Sequence, residues 1–216
     1  MRLALAHGRA VAVAIDPAAE IDNPADERAL AATRSAIRSA EFLAGRRALR
    51  AALADAGLTV PTAPIDADDR GAPCLPAGAV GSISHKRDRA IAIAAAATGQ
   101  AIGIDLERRG PRRIDLSRRV LTPDELEALA PLDPGDRGLA VVRAFAIKEA
   151  IYKAIDPFLR RYVGFQEVAV WPAPDGTVVV EPRAGWGLVV EATWLATDDH
   201  WIATASARRA SDSTPR

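Results

Sequence analysis

Ala101-Ile102-Gly103-Ile104-Asp105-Leu106-Glu107 alternates apolar side chains with small or acidic ones. That is the period of two expected of a β-strand. Ile102, Ile104 and Leu106 face one way, and Asp105 and Glu107 share the other. Two residues of rise set the two carboxylates ~7 Å apart. At an effective dielectric of about 20 their repulsion is on the order of 2 kcal/mol, and something must offset it. Two readings stay open from the spacing alone. Arg108 and Arg109 neutralise a solvated strand end, or a divalent cation bridges the acids.

Working outward, Val80–Ile83 and Ala90–Ala97 read as strands flanking Ser84-His85-Lys86-Arg87-Asp88, and Leu3–Ile15 as two strands around His7-Gly8-Arg9. Asn23-Pro24-Ala25-Asp26 predicts a helix start, with Asn as N-cap and Pro at the first helical position. A helix is expected from Ser35 to Ala56, with Ile37, Phe42, Leu49 and Leu53 on its buried face and Gly57 as cap. The proline-rich Val60–Gly78 reads as loop. Thr122-Pro123-Asp124-Glu125 has the form of a capping box. A long helix is expected from about Leu139 to Ile155, stopped near Asp156 by Pro157. Strands follow at Phe165–Val170, Thr177–Glu181, Leu188–Leu195 and His200–Ala205. The expected organisation is α+β, with an N-terminal half over residues 1–100, a C-terminal half over 101–207 and a disordered tail over 208–216.

Composition narrows the class. The 216 residues hold 28 Lys+Arg and 28 Asp+Glu, so bulk charge gives no affinity for nucleic acid. One cysteine, Cys74, excludes an internal disulfide and a cysteine zinc cage. The three histidines lie too far apart in sequence for a local metal motif. Aromatics are 5% against 49% hydrophobic residues, so alanine and other small side chains must fill the core. The uncharged stretch Ala90–Ile104 falls short of the roughly 20 residues a membrane helix needs. Because His7-Gly8-Arg9 interrupts the initial apolar run, no signal peptide is expected, and the protein is expected to be cytoplasmic and monomeric.

Several polar groups invite chemistry. Glu149 and Lys153 are four apart on the long helix, which suffices for an ordinary exposed ion pair. Alternatively Lys148, Glu149 and Lys153 line whatever the helix borders. A third carboxylate brought to Asp105 and Glu107 would complete a hard oxygen site suited to Mg²⁺. Gly81-Ser82-Ile83-Ser84-His85 offers hydroxyls, amides and an imidazole to an anion. Arg46, Arg47 and Arg50 crowd one helix, either for a phosphate partner or as a solvated face.

The order and spacing of these segments carry more than each alone. Arg38-x3-Phe42-x2-Gly45-Arg46, Gly71-Ala72-Pro73 with Pro76, Gly81-Ser82-Ile83-Ser84-His85, Gly103-Ile104-Asp105-Leu106-Glu107 and Phe145-Ala146-Ile147-Lys148-Glu149-Ala150-Ile151-Tyr152-Lys153-Ala154 together resemble the 4′-phosphopantetheinyl transferases of the Sfp/EntD type. The resemblance covers about residues 35 to 157. It implies two similar α/β halves related by pseudo-twofold symmetry, with coenzyme A held in the cleft between them. It implies Asp105, Glu107 and Glu149 as Mg²⁺ ligands, and Glu149 as the group that takes the proton from a serine of an acyl or peptidyl carrier protein. Lys153 would steady the departing adenosine 3′,5′-bisphosphate. Arg46 and His85 would contact the nucleotide phosphates, with Ser84 and Lys148 nearby.

Ala72 stands where the family commonly has a charged residue, Leu75 where an aromatic is frequent, and Lys86 where small or polar residues are usual. Because carrier proteins are acidic, Arg112, Arg113, Arg118 and Arg119 are candidates for docking them. No nucleic-acid or membrane partner is expected. The rival readings are a module that binds a nucleotide or carrier without turnover, and another Mg²⁺-dependent phosphotransfer enzyme. The absence of G-x-x-x-x-G-K-[ST] argues against the P-loop form of the latter.

Overall fold

The computed structural model describes residues 1–16, 23–24, 27, 35–110 and 115–210. The chain divides into two compact units, Met1–Thr98 and Gly99–Arg216. Each pairs an antiparallel sheet with one long helix, so the fold is α+β.

In the first unit β1 (Arg2–Leu5), β2 (Gly8–Ala14), β3 (Ala79–Lys86) and β4 (Arg89–Ala96) form a sheet in the order β1-β2-β4-β3. Helix α1 (Ala36–Asp55) covers it. Ala44, Ala48 and Ala52 recur every four residues, with Leu49 and Leu53 beside them, and all five are fully buried. This face packs on Val11, Ala92 and Ala94 of the sheet and on Ile65. Ala56 follows as C-cap, and Gly57 takes the left-handed conformation (φ +68°) that lets the chain leave the helix. Ile37, expected in the core, is 71% exposed, because it sits a turn ahead of that apolar stripe. Ser84, His85 and Lys86 belong to β3, which runs farther than expected, and only Arg87 and Asp88 make the turn to β4. The helix start expected at Asn23 lies mostly outside the described residues.

The second unit holds β5 (Ala101–Arg108), α2 (Ser117–Val120), α3 (Pro123–Leu129), α4 (Pro134–Leu159), a 3₁₀ turn (Phe165–Glu167), β6 (Val168–Pro172), β7 (Thr177–Pro182), β8 (Leu188–Ala196) and β9 (His200–Arg209). Its sheet runs β5-β9-β8-β7-β6. Thr122 opens α3 with the expected capping box. Helix α4 exceeds its expected range at both ends. Asp133 caps it by accepting from the N–H groups of Gly135 and Asp136, with Pro134 at the first helical position. At the other end the helix continues through Pro157 and stops at Arg160, which is left-handed (φ +47°). The proline costs one backbone bond, but Ile155 is buried and Phe158 and Leu159 pack on the core, so tertiary contact overrides the local rule. The expected strand from Phe165 opens instead as the 3₁₀ turn. Strand β9 extends past the expected start of the tail, pairing Arg208 with Val189 and Arg209 with Leu188. Residues 211–216 lie outside the described set. Among the described residues no helix is long and apolar enough to cross a membrane.

Candidate active site

The register of β5 against β9 pairs Gly103 with Ala205, Asp105 with Ala203 and Glu107 with Trp201. Ala203, Ala205 and Trp201 belong to the core cluster that α4 packs on, so this face of β5 looks toward the helix. Gly103 brings strand and helix into direct contact: a Cβ there would lie 2.0 Å from the carbonyl oxygen of Ala150. The alternation read from the sequence therefore turns Asp105 and Glu107 toward α4. Both are nearly out of water, at 5% and 4% exposure, so the solvated strand end does not hold.

The charge next to Asp105 comes from the helix. Lys153 Nζ donates to Asp105 Oδ1 at 2.8 Å and to the Ile104 carbonyl oxygen at 2.9 Å, and its side chain keeps 26% exposure. Of the two arginines expected to serve the acids, Arg109 is directed elsewhere. Arg109 lies over the Trp201 ring at 4.5 Å and donates to the Thr197 carbonyl at 2.6 Å. Glu149 is half-buried on α4, one residue before Ala150. Among the described residues no group of three or more His, Cys, Asp or Glu side chains is gathered so as to hold a metal ion. Thus Asp105 and Glu107 share one face with Lys153 bonded to the first, and Glu149 is not gathered with them into a metal-holding group.

Lys148 departs from its expected role. It is 2% exposed, and its ammonium donates to the Val120 carbonyl (2.8 Å), Glu125 Oε2 (2.6 Å) and the Phe165 carbonyl (3.1 Å). An ammonium has three protons, so these acceptors use all of them. Burial draws its pKa below the usual lysine range, while the hydrogen bond and charge of Glu125 pull it back up. Nothing is left to offer a coenzyme, because the side chain points into the α2–α3 segment and the 3₁₀ turn. Glu125 missed notice beyond its cap. It also accepts from the Thr122 N–H (2.6 Å) and the Val170 N–H (2.8 Å).

The first unit holds the remaining expected residues. Ser84 is buried on β3, and His85 Nδ1 lies 3.6 Å from Glu41 Oε1, which sits in α1 beside Arg38. Arg46 is 7% exposed; its Nε donates to the Ile65 carbonyl at 3.0 Å, and its guanidinium lies 4.3 Å over the Phe42 ring. Arg50, considered for a phosphate, is committed internally. It grips both oxygens of the buried Glu27 at 2.8 and 3.1 Å and donates to the Pro61 and Ala63 carbonyls. Glu27 also accepts from Asn23 Nδ2 (2.7 Å) and the Ile65 N–H (2.8 Å). Burial works against its charge, yet the donors from Arg50, Asn23 and Ile65 hold its pKa below the ordinary glutamate value.

Sequence comparison finds related families along both units. The family described as the 4′-phosphopantetheinyl transferase N-terminal domain matches residues 26–95, and the 4′-phosphopantetheinyl transferase superfamily matches residues 101–205. The chain belongs to the 4′-phosphopantetheinyl transferase superfamily and is of the Sfp/EntD type. It is 36% identical over 152 residues to the 4′-phosphopantetheinyl transferase Npt of Nocardia iowensis, covering 68% of this chain and 65% of that protein. It is 36% identical over 144 residues to the 4′-phosphopantetheinyl transferase Svp of Streptomyces mobaraensis, covering 62% and 55%. The chain thus spans between about half and two thirds of the length of these curated relatives. Among solved structures, the holo-ACP-synthase from Plasmodium yoelii is similar at 20% identity and a TM-score of 0.42, covering 51% of this chain and 97% of that one.

Proposed function

We propose that this protein transfers the 4′-phosphopantetheine moiety of coenzyme A to a serine of an acyl or peptidyl carrier protein and releases adenosine 3′,5′-bisphosphate. The observation that carries the reading is the pair Asp105–Lys153. It is a buried carboxylate of the Gly-Ile-Asp-Leu-Glu strand, met by the last lysine of the Lys-Glu-x3-Lys helix, inside a chain matched to this family over both units. In the reaction the serine oxygen bonds to the β-phosphorus of coenzyme A, the bond from that phosphorus to the nucleotide phosphate breaks, and the serine proton leaves. Glu149, half-buried rather than enclosed, takes that proton directly or through a water molecule. Lys153, whose side chain keeps some exposure, sets positive charge where the leaving nucleotide phosphate gains negative charge. Arg46, Ser84 and His85 serve the nucleotide phosphates.

The donor chemistry at Asp105 and Glu107 suits Mg²⁺: two hard carboxylates, nearly dry, side by side on one strand face. These two would hold the ion, with Glu149 drawn to it as third ligand, and it would supply charge against the pyrophosphate. Partner recognition falls to exposed arginines such as Arg118 and Arg119 acting on an acidic carrier; Arg112 and Arg113 lie outside the described residues. A cytoplasmic monomer is the setting we propose.

The test is direct. The protein, coenzyme A, Mg²⁺ and a panel of apo carrier proteins should yield one phosphopantetheine adduct per carrier by mass spectrometry, lost on chelation and restored by Mg²⁺. Asp105→Ala should lower turnover by about 10²-fold or more while circular dichroism stays unchanged. No adduct on any carrier would favour a non-catalytic binding module.

A further inference from the structure

Lys148 has no proton left for a ligand, yet it sits next to Glu149. The acceptors of its ammonium come from three places: the end of α2 (Val120), α3 (Glu125) and the 3₁₀ turn (Phe165). Glu125 in turn ties in the first residue before α3, through the Thr122 N–H, and the sheet, through the Val170 N–H on β6. On the other side of Glu149, Ala150 is pressed against Gly103 with no room for a Cβ. The residue expected to move a proton is therefore flanked by two anchors. One is a buried ion pair at i−1, and the other is a backbone-tight contact at i+1.

The first unit repeats the device. Glu27 and Arg50 are 23 residues apart, as are Glu125 and Lys148. In each pair the acid precedes, the base lies on the long helix, and one carboxylate oxygen accepts a backbone N–H from farther along the chain, Ile65 or Val170. In the first unit the base is committed to its own unit's framework. Its counterpart in the second unit has the same kind of partners.

We infer that Lys148 is a positioning residue. It seats α4 so that Lys153 meets Asp105 and the orientation of Glu149 is held, and it does not touch coenzyme A. This rests on the proposed transferase reading. An ammonium enclosed by three oxygens is restrained in every direction, so the rotation of α4 about its axis at residue 148 is fixed by Glu125 and the two carbonyls. Loss of the anchor loosens the orientation of Glu149 while leaving the coenzyme's own contacts in place. Misplacement of that order lowers turnover rather than binding.

The experiment is steady-state kinetics on Lys148→Met, Lys148→Arg and the double variant Glu125→Gln/Lys148→Met, with Lys153→Met as control. Lys148→Met should lower kcat by about tenfold or more with the KM for coenzyme A within about twofold, whereas Lys153→Met should raise that KM. Lys148→Arg should also lose kcat, because a guanidinium fork does not fit a space built for an ammonium. The double variant should regain stability, since the amide of Glu125→Gln leaves no buried unpaired carboxylate, while kcat stays low because the anchor is still missing. A return to wild-type kcat in it overturns the inference. A KM for coenzyme A raised about tenfold in Lys148→Met, without relief in the double variant, overturns the inference. So does a Lys148→Arg with wild-type turnover, which is what a phosphate-contacting lysine would allow. Should Lys148→Met fail to fold, Lys148→Arg and the double variant decide the matter by the same criteria. If the wild-type protein modifies no carrier, the transferase reading fails on its own. The inference is then read from hydrogen exchange, where faster exchange at Ala146–Lys153 in the folded Lys148 variants supports it and unchanged exchange overturns it.

Discussion

The two units solve one problem, seating a long helix on an antiparallel sheet built from small residues, in different ways. In the first, the close approach is made by a glycine on the helix: Gly45 of α1 faces the Cγ2 of Ile83, 2.9 Å from where a Cβ would stand. In the second the glycine is on the strand, and Gly103 faces the carbonyl of Ala150 on α4. The first contact is with a side chain that can turn aside; the second is with helix backbone. The buried ion pairs differ in the same sense. The Arg50 side chain keeps 14% exposure beside Glu27, while Lys148 and Glu125 keep 0% and 3%. The second unit is the less yielding of the two, and it carries the acids and lysines of the Lys-Glu-x3-Lys helix. Rigid seating is what a site that works by positioning charge requires.

Small substitutions at the two glycines should break the symmetry most clearly. Gly103→Ala drives a methyl into Ala150 backbone, and a loss of about 3 kcal/mol or more is expected, at the upper end of overpacking. Gly45→Ala displaces only the end of Ile83 and gains about 1 kcal/mol of helix propensity, so its net change should stay within about 1 kcal/mol. Urea denaturation of the two variants measures both. Equal losses would mean that α1 and α4 are seated alike.

The ion pairs test the same contrast at comparable size. Lys148→Met strands a carboxylate where water cannot reach, and about 3–5 kcal/mol of stability should go with it. Arg50→Met leaves Glu27 its bonds from Asn23 and Ile65, with water able to enter where the partly exposed arginine stood, so a loss nearer 2 kcal/mol is expected. The ratio of the two, again from denaturation midpoints, sharpens the contrast; a larger loss at Arg50 would reverse it.

These anchors also mark where sequence reading succeeds and where it stops. The period of two in β5 was legible because one face takes apolar side chains and the other takes Gly103, Asp105 and Glu107. The capping box at Thr122 was legible because cap chemistry is local. The start of α4 at Asp133-Pro134 carried the same cap-and-proline signal as Thr122-Pro123, and it went unread because the apolar pattern begins only at Leu139. The role of Lys148 could not be read from periodicity. Helix α4 is buried around most of its circumference, with Val141, Val142, Ala144, Ile147, Ile151 and Ile155 all enclosed, so no polar stripe tells which way a lysine turns. Nor does spacing along the chain say whether Glu149 meets Asp105. That depends on the crossing of α4 over β5, which Gly103 sets through a tertiary contact. The 23-residue interval between acid and base in both units was available in the sequence, but helical rules relate only residues three or four apart.

The smallest expected effect separates the units by pH. Glu27 is buried, which opposes its charge, but the donors from Arg50, Asn23 and Ile65 outweigh that and hold its pKa below the ordinary value. A carboxylate with a depressed pKa in the folded state binds its proton less readily there than in the unfolded chain. Its contribution to stability is therefore fully present above the ordinary glutamate value, about 4.3, and is lost as pH falls from there through the lower folded value. Glu27→Gln removes this titrating group, so the stability of the variant should fall less steeply with acid than that of the wild type below about pH 4.5. The variant should be the weaker protein at neutral pH, because a neutral amide cannot accept from the arginine fork on both atoms, and the two stability curves should converge as acid is added. The change should be confined to the first unit, and hydrogen exchange at β2 and β4 amides, followed from neutral pH to about pH 4, reads it there. Parallel stability curves for wild type and Glu27→Gln would mean that the Arg50 fork does not hold the glutamate charged, and the two ion pairs would then differ in kind rather than in degree.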